Sequence, residues 1–210
     1  MTTAVSCAAG NLREQILSAA ASCFRERGIK ATTMQEIAKR AGISVGNFYN
    51  YFDGKDAIID EFAQREVARL AREIDEIVNG RVSLEEQRRQ FCESLRKQLA
   101  VQRARVKIEI IEEAARNGSM GDIVKRSDAQ VRELIKKMHR SRASADVSDE
   151  EIEVMVEMDM ALVDGMAFRL IAHPELDVDR MINAIVKTVI RRFGKLPADD
   201  SLLRETAWFL

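Results

Sequence analysis

Apolar residues recur every three or four positions through most of the chain, which is the spacing of one face of an α-helix. Ile16, Ala20 and Phe24 form one such stripe, and a longer one runs from Ile58 to Ile77. No alternation of apolar and polar residues is long enough to indicate a strand. Only two prolines and ten glycines interrupt the 210 residues. The pattern therefore predicts an all-α fold of nine or ten helices.

Interruptions in the apolar pattern indicate where the helices end and how the chain is divided. Residues 1–10 are predicted to be a flexible tail. A helix over residues 54–78 would be about 36 Å long at about 1.5 Å per residue, too long to belong only to a small N-terminal domain. We expect it to connect an N-terminal domain of residues 11–54 to a larger domain of residues 55–210. The other helices are predicted over residues 11–27, 83–102, 106–117, 121–139, 148–172 and 177–193, with a short one in 201–210.

Residues 33–55 have the sequence of two short helices joined by a tight turn. Thr33 followed by Glu36 is the signature of a capping box at a helix start. Gly42 lies where the chain must leave the first helix, a position that is often left-handed and suits glycine. Ser44 can begin the second helix, because its hydroxyl can accept a hydrogen bond from a free backbone N–H. Together these signals predict a helix-turn-helix.

The second of these helices is expected to have an apolar side and a polar side. Phe48 and Phe52 are four positions apart, so they should face the core together. Asn47, Tyr49 and Tyr51 then lie on the other sides, where amide and hydroxyl groups suit the base edges and phosphates of DNA. The alternative is that the two tyrosines belong partly to the core.

The segment from Ile16 to Phe62 resembles the DNA-binding domain of the TetR family of transcriptional regulators. The resemblance rests mainly on the order Gly-Ile-Ser-x-Gly-x-x-Tyr-x-Tyr-Phe-x-x-Lys, which begins at Gly42. It covers about a quarter of the chain. Thr33 could serve as a phosphate contact or only as a helix cap. The DNA contacts that the resemblance implies are Thr33, Ser44, Val45, Asn47, Tyr49, Tyr51 and Lys55.

The helices over residues 148–172 and 177–193 each carry a wide apolar face. The resemblance implies that they pair with the same helices of a second copy in a four-helix bundle, which gives the two-fold symmetry that a palindromic operator requires. An internal core of one subunit is the alternative, and both are expected to hold in part. The residues assigned to the homodimer interface are Met155, Leu162, Met166, Leu170, Ile182, Ile185 and Val189.

The apolar stripes of the larger domain also suggest a pocket for a small, mainly apolar effector, with an ordinary core as the alternative. Asp159 stands out because it occupies an apolar stripe, where a carboxylate is costly unless it is paired. It could face a cationic ligand, an arginine such as Arg169 of the partner subunit, or a solvated seam. The candidate ligand-binding residues are Phe62, Phe91, Leu95, Ile110, Val131, Met138 and Asp159.

Charge is distributed unevenly along a chain whose formal net charge is −1. Residues 1–55 carry seven basic and four acidic groups, a net charge of +3, and the rest of the chain carries −4. A basic end on an acidic protein is typical of contact with nucleic acid at that end.

Several other functions lack the residues that they require. Cys7, Cys23 and Cys92 show no C-x-x-C spacing, so neither a disulfide framework nor a zinc site is expected, and a redox role is left open. His139 and His173 lack metal-spaced partners and are expected at the surface or at helix ends. No catalytic set or phosphate-binding loop is present, so we expect no enzyme activity and no cofactor.

Neither a long apolar segment nor a secretory signal is visible, which favours a cytoplasmic protein without a membrane partner. The sequence thus predicts a ligand-responsive regulator, a repressor in the favoured form. It would bind a palindromic operator in double-stranded DNA as a homodimer, and a small-molecule effector would release it. The alternative is a helical protein-interaction module without specific DNA binding.

Overall fold

The computed structural model describes residues 2–191, and nine helices account for most of them. No strand occurs within this range, so the predicted all-α fold is confirmed. The tenth helix, expected in residues 201–210, lies outside the described residues. The helices are α1 Thr2–Ala31, α2 Met34–Arg40, α3 Val45–Tyr49, α4 Lys55–Val78, α5 Leu84–Gln98, α6 Val101–Ala114, α7 Gly118–Arg142, α8 Asp149–Ala172 and α9 Val178–Arg191.

Helix α1 begins at Thr2 rather than at Asn11, so residues 2–10 are helical where the sequence predicted a flexible tail. This segment has no proline and is rich in alanine, the residue that favours helix most. Near the other end, Gly28 has φ 81° and ψ 168° and interrupts the helix. A positive φ of this size is open to glycine and strained for other residues. The predicted end at Gly28 is therefore a kink, and one further turn continues to Ala31.

Two boundaries in the larger domain also differ from the prediction. The break expected near Gln102 lies at Leu99 and Ala100, between α5 and α6. Helix α7 begins at Gly118, because the side chain of Asn117 accepts a hydrogen bond from the N–H of Ser119 at 3.0 Å. Such side-chain caps set the start of a helix more sharply than apolar spacing does.

Two clusters of buried apolar side chains hold the chain together. One lies in the N-terminal domain, which we call the head, and joins α1 to α4; Met120 of α7 completes it. The other joins α5, α8 and α9 in the larger domain. Helix α7 packs along α4 and also contacts α6 and α8, so it connects the two regions. Over residues 2–191, no helix combines the length and the apolar character needed to cross a membrane.

Candidate DNA-binding surface and effector domain

The first helix of the helix-turn-helix is fixed by the capping box that the sequence predicts. The hydroxyl of Thr33 accepts a hydrogen bond from the N–H of Glu36 at 3.2 Å, and the Glu36 carboxylate accepts one from the N–H of Thr33 at 2.9 Å. Ile37 and Ala38 are fully buried beneath it. Gly42 has φ 68°, which confirms the left-handed turn after α2.

The second helix, α3, is only five residues long and depends on its cap and its anchor. The Ser44 hydroxyl accepts a hydrogen bond from the N–H of Asn47 at 3.1 Å. Phe48 is fully buried, and its ring meets Tyr49 edge-on with 5.7 Å between ring centroids. Tyr49 itself is 50% exposed. A buried phenylalanine thus holds the helix while the next residue projects its hydroxyl into solvent.

The candidate DNA contacts differ in how exposed their side chains are. Thr33, Ser44 and Tyr49 are exposed, whereas Val45 and Tyr51 pack partly against the core. Asn47 is partly buried, and its side-chain oxygen lies 3.3 Å from the side-chain nitrogen of Asn50.

Lys55 has partners within the chain. Its ammonium group donates to the carbonyl oxygens of Ile29 at 2.8 Å and Thr32 at 3.1 Å. An ammonium carries three N–H groups. These two bonds therefore leave one donor for a phosphate.

Arg13 organises the head in a way that the sequence did not reveal. Its guanidinium donates to the carbonyl of Tyr51 at 3.2 Å and to Glu61 at 2.8 Å, and it lies 4.4 Å from the centre of the Phe52 ring. One side chain of α1 thus contacts the end of the helix-turn-helix and α4. Its partners are more than 30 residues away in the chain, so no local pattern signals them.

Ion pairs within the head reduce the positive charge that is free for DNA. Arg40 donates to both carboxylate oxygens of Glu26 at 2.6 Å, and Arg27 pairs with Glu36. The hydrogen bond from Arg40 holds the pKa of the Glu26 carboxyl below its usual range. Both pairs lie within residues 1–55, so they engage two of its seven basic groups but leave its net charge of +3 unchanged.

Four residues assigned to the dimer interface lie inside the single subunit. Leu170, Ile182, Ile185 and Val189 are between 1% and 5% exposed and pack in the cluster of α5, α8 and α9. A partner would have almost none of their surface to cover. Met155, Leu162 and Met166 are partly buried and retain some surface. For Leu170, Ile182, Ile185 and Val189, the structure therefore favours the alternative of an internal core within one subunit.

A different side of α8 carries exposed apolar residues that the sequence analysis did not select. Val154, Met158 and Phe168 are 55%, 52% and 61% exposed. Ala161, Gly165 and Ala172 are exposed as well. The six positions alternate in spacing by four and three, which is the seam of a coiled coil. We call these six residues the α8 seam.

The candidate effector-binding residues do not converge on one place. Phe62 and Ile110 pack against the head cluster, whereas Phe91 and Leu95 belong to the cluster of α5, α8 and α9. Val131 and Met138 are partly buried on α7. An open depression of about 380 Å³ lies at the start of α5, and four of its six lining residues are charged. It is lined by Ser83, Glu85, Glu86, Arg88, Arg89 and Cys92.

Asp159 has a partner in its own chain. Its Oδ2 lies 3.1 Å from Nε2 of His139, which projects from α7 and is fully buried. Of the two predicted locations for His139, the helix end is confirmed, since it lies in the last turn of α7. The surface is not, because the Asp159 carboxylate lets the imidazole enter the α7–α8 contact. His173 does cap the end of α8, as predicted. Pairing with His139 favours a structural role for Asp159.

Comparison with protein families gives two matches along the chain. The family described as bacterial regulatory proteins, tetR family, matches residues 16–62. The family described as BetI-type transcriptional repressor, C-terminal, matches residues 84–194. The second match alone covers more than half of the chain.

Among curated relatives, the chain is 41% identical to the HTH-type transcriptional repressor KstR2 of Rhodococcus jostii over 66 residues. These residues are 31% of this chain and 32% of that protein, so the match spans about a third of the relative's length. The regulator YhgD of Bacillus subtilis is 30% identical over 134 residues, covering 61% of this chain and 62% of YhgD.

Two solved structures are similar over most of both chains. SmeT, the repressor of the Stenotrophomonas maltophilia efflux pump SmeDEF, matches 86% of this chain and 89% of its own, with a TM-score of 0.66 and 21% identity. FadR of Thermus thermophilus, solved with lauroyl-CoA, matches 89% of this chain and 96% of its own, with a TM-score of 0.57 and 23% identity. At these identities the likeness concerns the fold.

Proposed function

Because the chain belongs to the TetR family of transcriptional regulators and carries a BetI-type C-terminal domain, we propose that it is a ligand-responsive repressor. In this proposal a homodimer binds a palindromic operator, and a small, mainly apolar effector releases it. The effector would favour one spacing of the two heads and DNA another, so that each weakens binding of the other. The proposed function includes no enzyme activity.

The observation that carries the proposal is the construction of α3. The cap at Ser44 and the buried Phe48 fix a helix that has one polar, exposed side. Tyr49 on this helix is half exposed to solvent. In a helix-turn-helix the second helix enters the major groove with its first residues leading. Those first residues are Val45, Gly46 and Asn47. Val45 would then meet a thymine methyl and Asn47 an adenine edge.

The α8 seam supports the homodimer. Exposed Phe168 and Met158 stand in one row with small residues that would let two helices approach closely. A row of this kind on a single subunit is typical of an interface. We therefore propose the α8 seam as the centre of the dimer, with Met155, Leu162 and Met166 at its margins.

For the effector we propose the space between α4 and α7, which pack along each other. Phe62 lies on α4 and Val131 and Met138 lie on α7, and all three side chains are partly buried. FadR of Thermus thermophilus was solved with lauroyl-CoA. That compound is therefore the first probe for an effector that carries an acyl chain. It should raise the melting temperature, because a ligand of the folded state stabilises it. Free coenzyme A is the control, and equal shifts from both would exclude the acyl chain.

Selection of duplexes from a random pool tests the DNA proposal. The parent protein should enrich a palindrome and bind it more weakly as salt rises. Tyr49→Phe should weaken that binding, and Lys55→Ala should weaken all duplexes similarly and lower the salt slope by about one. Lys97→Ala in α5, far from the head, is the matched control. Failure to enrich any palindrome would favour the protein-interaction module instead.

A further inference from the structure

The turn that leads into the helix-turn-helix is held by a carboxylate from the larger domain. This turn comprises Ile29 to Thr32, between the kink at Gly28 and the cap of α2. The Glu109 carboxylate of α6 accepts a hydrogen bond from the N–H of Ile29 at 2.6 Å and lies 3.3 Å from that of Lys30. Glu109 thus binds the backbone of the head from a different domain.

Gly28 makes room for this contact. A Cβ atom at residue 28 would lie 2.7 Å from Oε2 and 2.9 Å from Cδ of Glu109, closer than real Cβ atoms come. Its φ of 81° also turns two successive N–H groups toward the carboxylate. The glycine is therefore needed both for the backbone conformation and for the approach of the side chain.

The opposite side of the same turn is held by the helix that connects the two domains. Lys55, at the start of α4, donates to the carbonyls of Ile29 and Thr32. The turn is consequently held by an anion on its N–H groups and a cation on its carbonyl groups. We call this arrangement the Glu109–Lys55 clamp.

We propose that Glu109 is a positioning residue, which fixes the orientation of the head relative to α6 through its hydrogen bonds to the turn of Ile29 to Thr32. The inference rests on the proposed function for its meaning in DNA binding. Its second support is apolar: Val106, Ile110 and Ala114 of α6 pack against the head cluster. Helix α6 is therefore joined to the head both by packing and by a charged hydrogen bond. A hydrogen bond has a preferred geometry, so the clamp fixes how α6 and the head are oriented where they meet.

The chain supplies a matched control on the same helix. Glu112 pairs with Lys30 at 3.1 Å, and both side chains are exposed. Pairs of this kind contribute little because solvent screens them. Glu112→Gln therefore removes one charge near the head and leaves the clamp intact, whereas Glu109→Ala removes the charge and the clamp contact together.

Amide hydrogen exchange on the full-length protein tests the contact without DNA. In Glu109→Ala the amides of Ile29 and Lys30 should exchange at least about tenfold faster, since their acceptor is gone. Glu109→Gln keeps a side-chain oxygen and should restore part of the protection. Glu112→Gln should leave both amides as in the parent. Unchanged exchange in Glu109→Ala would overturn the clamp.

Operator affinity then tests the positioning role, with the duplex that the parent enriches as the probe. Glu109→Ala should bind it about 2- to 30-fold more weakly, because a head that is not held must be ordered on binding. The salt slope should not change, because Glu109 contacts no phosphate. Glu109→Gln should lie between Glu109→Ala and the parent. Affinity equal to or tighter than that of Glu112→Gln would overturn positioning.

A double variant separates this contact from a general loss of structure. Gly28→Ala should weaken operator binding by itself, and adding Glu109→Ala should weaken it by less than the two separate effects combined, since the clash is then removed. Strict additivity would overturn the clamp. If the parent enriches no duplex at all, the proposed function fails, while hydrogen exchange still decides the clamp.

Discussion

The short helix α3 in the head and the long helix α8 in the larger domain face their surroundings in different ways. Helix α3 has five residues, one buried anchor at Phe48 and a polar exposed side. Helix α8 has 24 residues and carries apolar side chains both inward, at Ile152 and Leu170, and outward along the α8 seam. A helix with one apolar side has one possible core contact. A helix with two needs a neighbour on each side.

The consequence is a difference in what stabilises each region. The head closes its core with its own helices and a few residues of α6 and α7, and its helix starts are fixed by local caps. In the larger domain, one side of α8 meets α7 and α9, and the other carries the exposed residues of the α8 seam. The helix starts in the head are thus set by short-range contacts, whereas the positions of the helices in both regions depend on contacts between distant segments.

The largest expected effect distinguishes the core of the larger domain from its exposed α8 seam. Ile185→Glu places a charge at a site that is 2% exposed in the subunit core and should cost about 4–5 kcal/mol or more, so the domain unfolds. Phe168→Glu, at a site that is 61% exposed, should leave the subunit folded but monomeric. Circular dichroism measures folding, and sedimentation measures mass.

The same pair of variants has a clear contrary outcome. A folded dimer of Phe168→Glu would show that the α8 seam is not the interface. A folded monomer of Ile185→Glu would show that Ile185 lies between subunits rather than within one. Operator binding should be lost in both variants, because one head alone reaches only half of the site.

The contrast between α3 and α8 also explains how far the sequence could be interpreted. Thr33, Gly42 and Ser44 act through neighbours only a few residues away, so their pattern predicts the helix-turn-helix correctly. Apolar spacing likewise predicts that α8 exists and where it ends. It cannot tell which apolar side meets the core, because both sides satisfy the same spacing. Leu170, which is 1% exposed, was therefore assigned to the interface, and Phe168, which is 61% exposed, was not.

Contacts between distant segments were missed for a related reason. His139 and Asp159 are on different helices. Only their contact in the folded chain explains why two polar side chains are buried at these positions. The hydrogen bond from the Ile29 backbone to Glu109 and the contacts of Arg13 also join segments that are distant in the sequence. A charged side chain with a remote partner has no signature in its own neighbourhood, so the sequence predicted only that Asp159 needed some explanation.

A moderate effect is expected from the pair in the α7–α8 contact. Asp159→Ala leaves the buried imidazole of His139 without its neighbouring carboxylate and should cost about 1–3 kcal/mol of unfolding free energy. Glu157→Gln is the matched control, because Glu157 pairs with Arg132 across the same helices at 2.9 Å but in solvent. It should cost less than about 1 kcal/mol. Urea unfolding of both variants measures the difference, and equal losses would mean that burial does not decide the strength of this pair.

A smaller effect is expected at the start of α3. Ser44→Ala removes the acceptor for the N–H of Asn47 and should cost about 1 kcal/mol. Ser44→Asn keeps a good cap and should restore most of that stability. Ser18→Ala, at an exposed position in α1, should have little effect. If Ser44→Asn were as unstable as Ser44→Ala, the serine would matter for another reason than capping.

The smallest effect lies at the joint between α1 and α4. The hydrogen bond from Arg13, with a further one from Arg65, holds the pKa of the Glu61 carboxyl below its usual value of 4.5. A carboxyl whose pKa is lower in the folded state stabilises the protein above the unfolded pKa, and this contribution is lost as the pH falls through the folded pKa. The melting temperature should therefore fall on acidification below about pH 5, and Glu61→Gln should make that fall shallower.

Solvent decides how large this dependence is. The Glu61 side chain is 25% exposed, and the contribution of its pairs should not exceed about 1 kcal/mol. Glu26 is the comparison, because it pairs with Arg40 in the head but its side chain is 54% exposed. Glu26→Gln should change the acid profile less than Glu61→Gln does, since screening by water weakens the more exposed pair. Equal changes would mean that the α1–α4 joint is no better shielded than the surface of the head, and that Arg13 joins the two helices by packing on Phe52 rather than by charge.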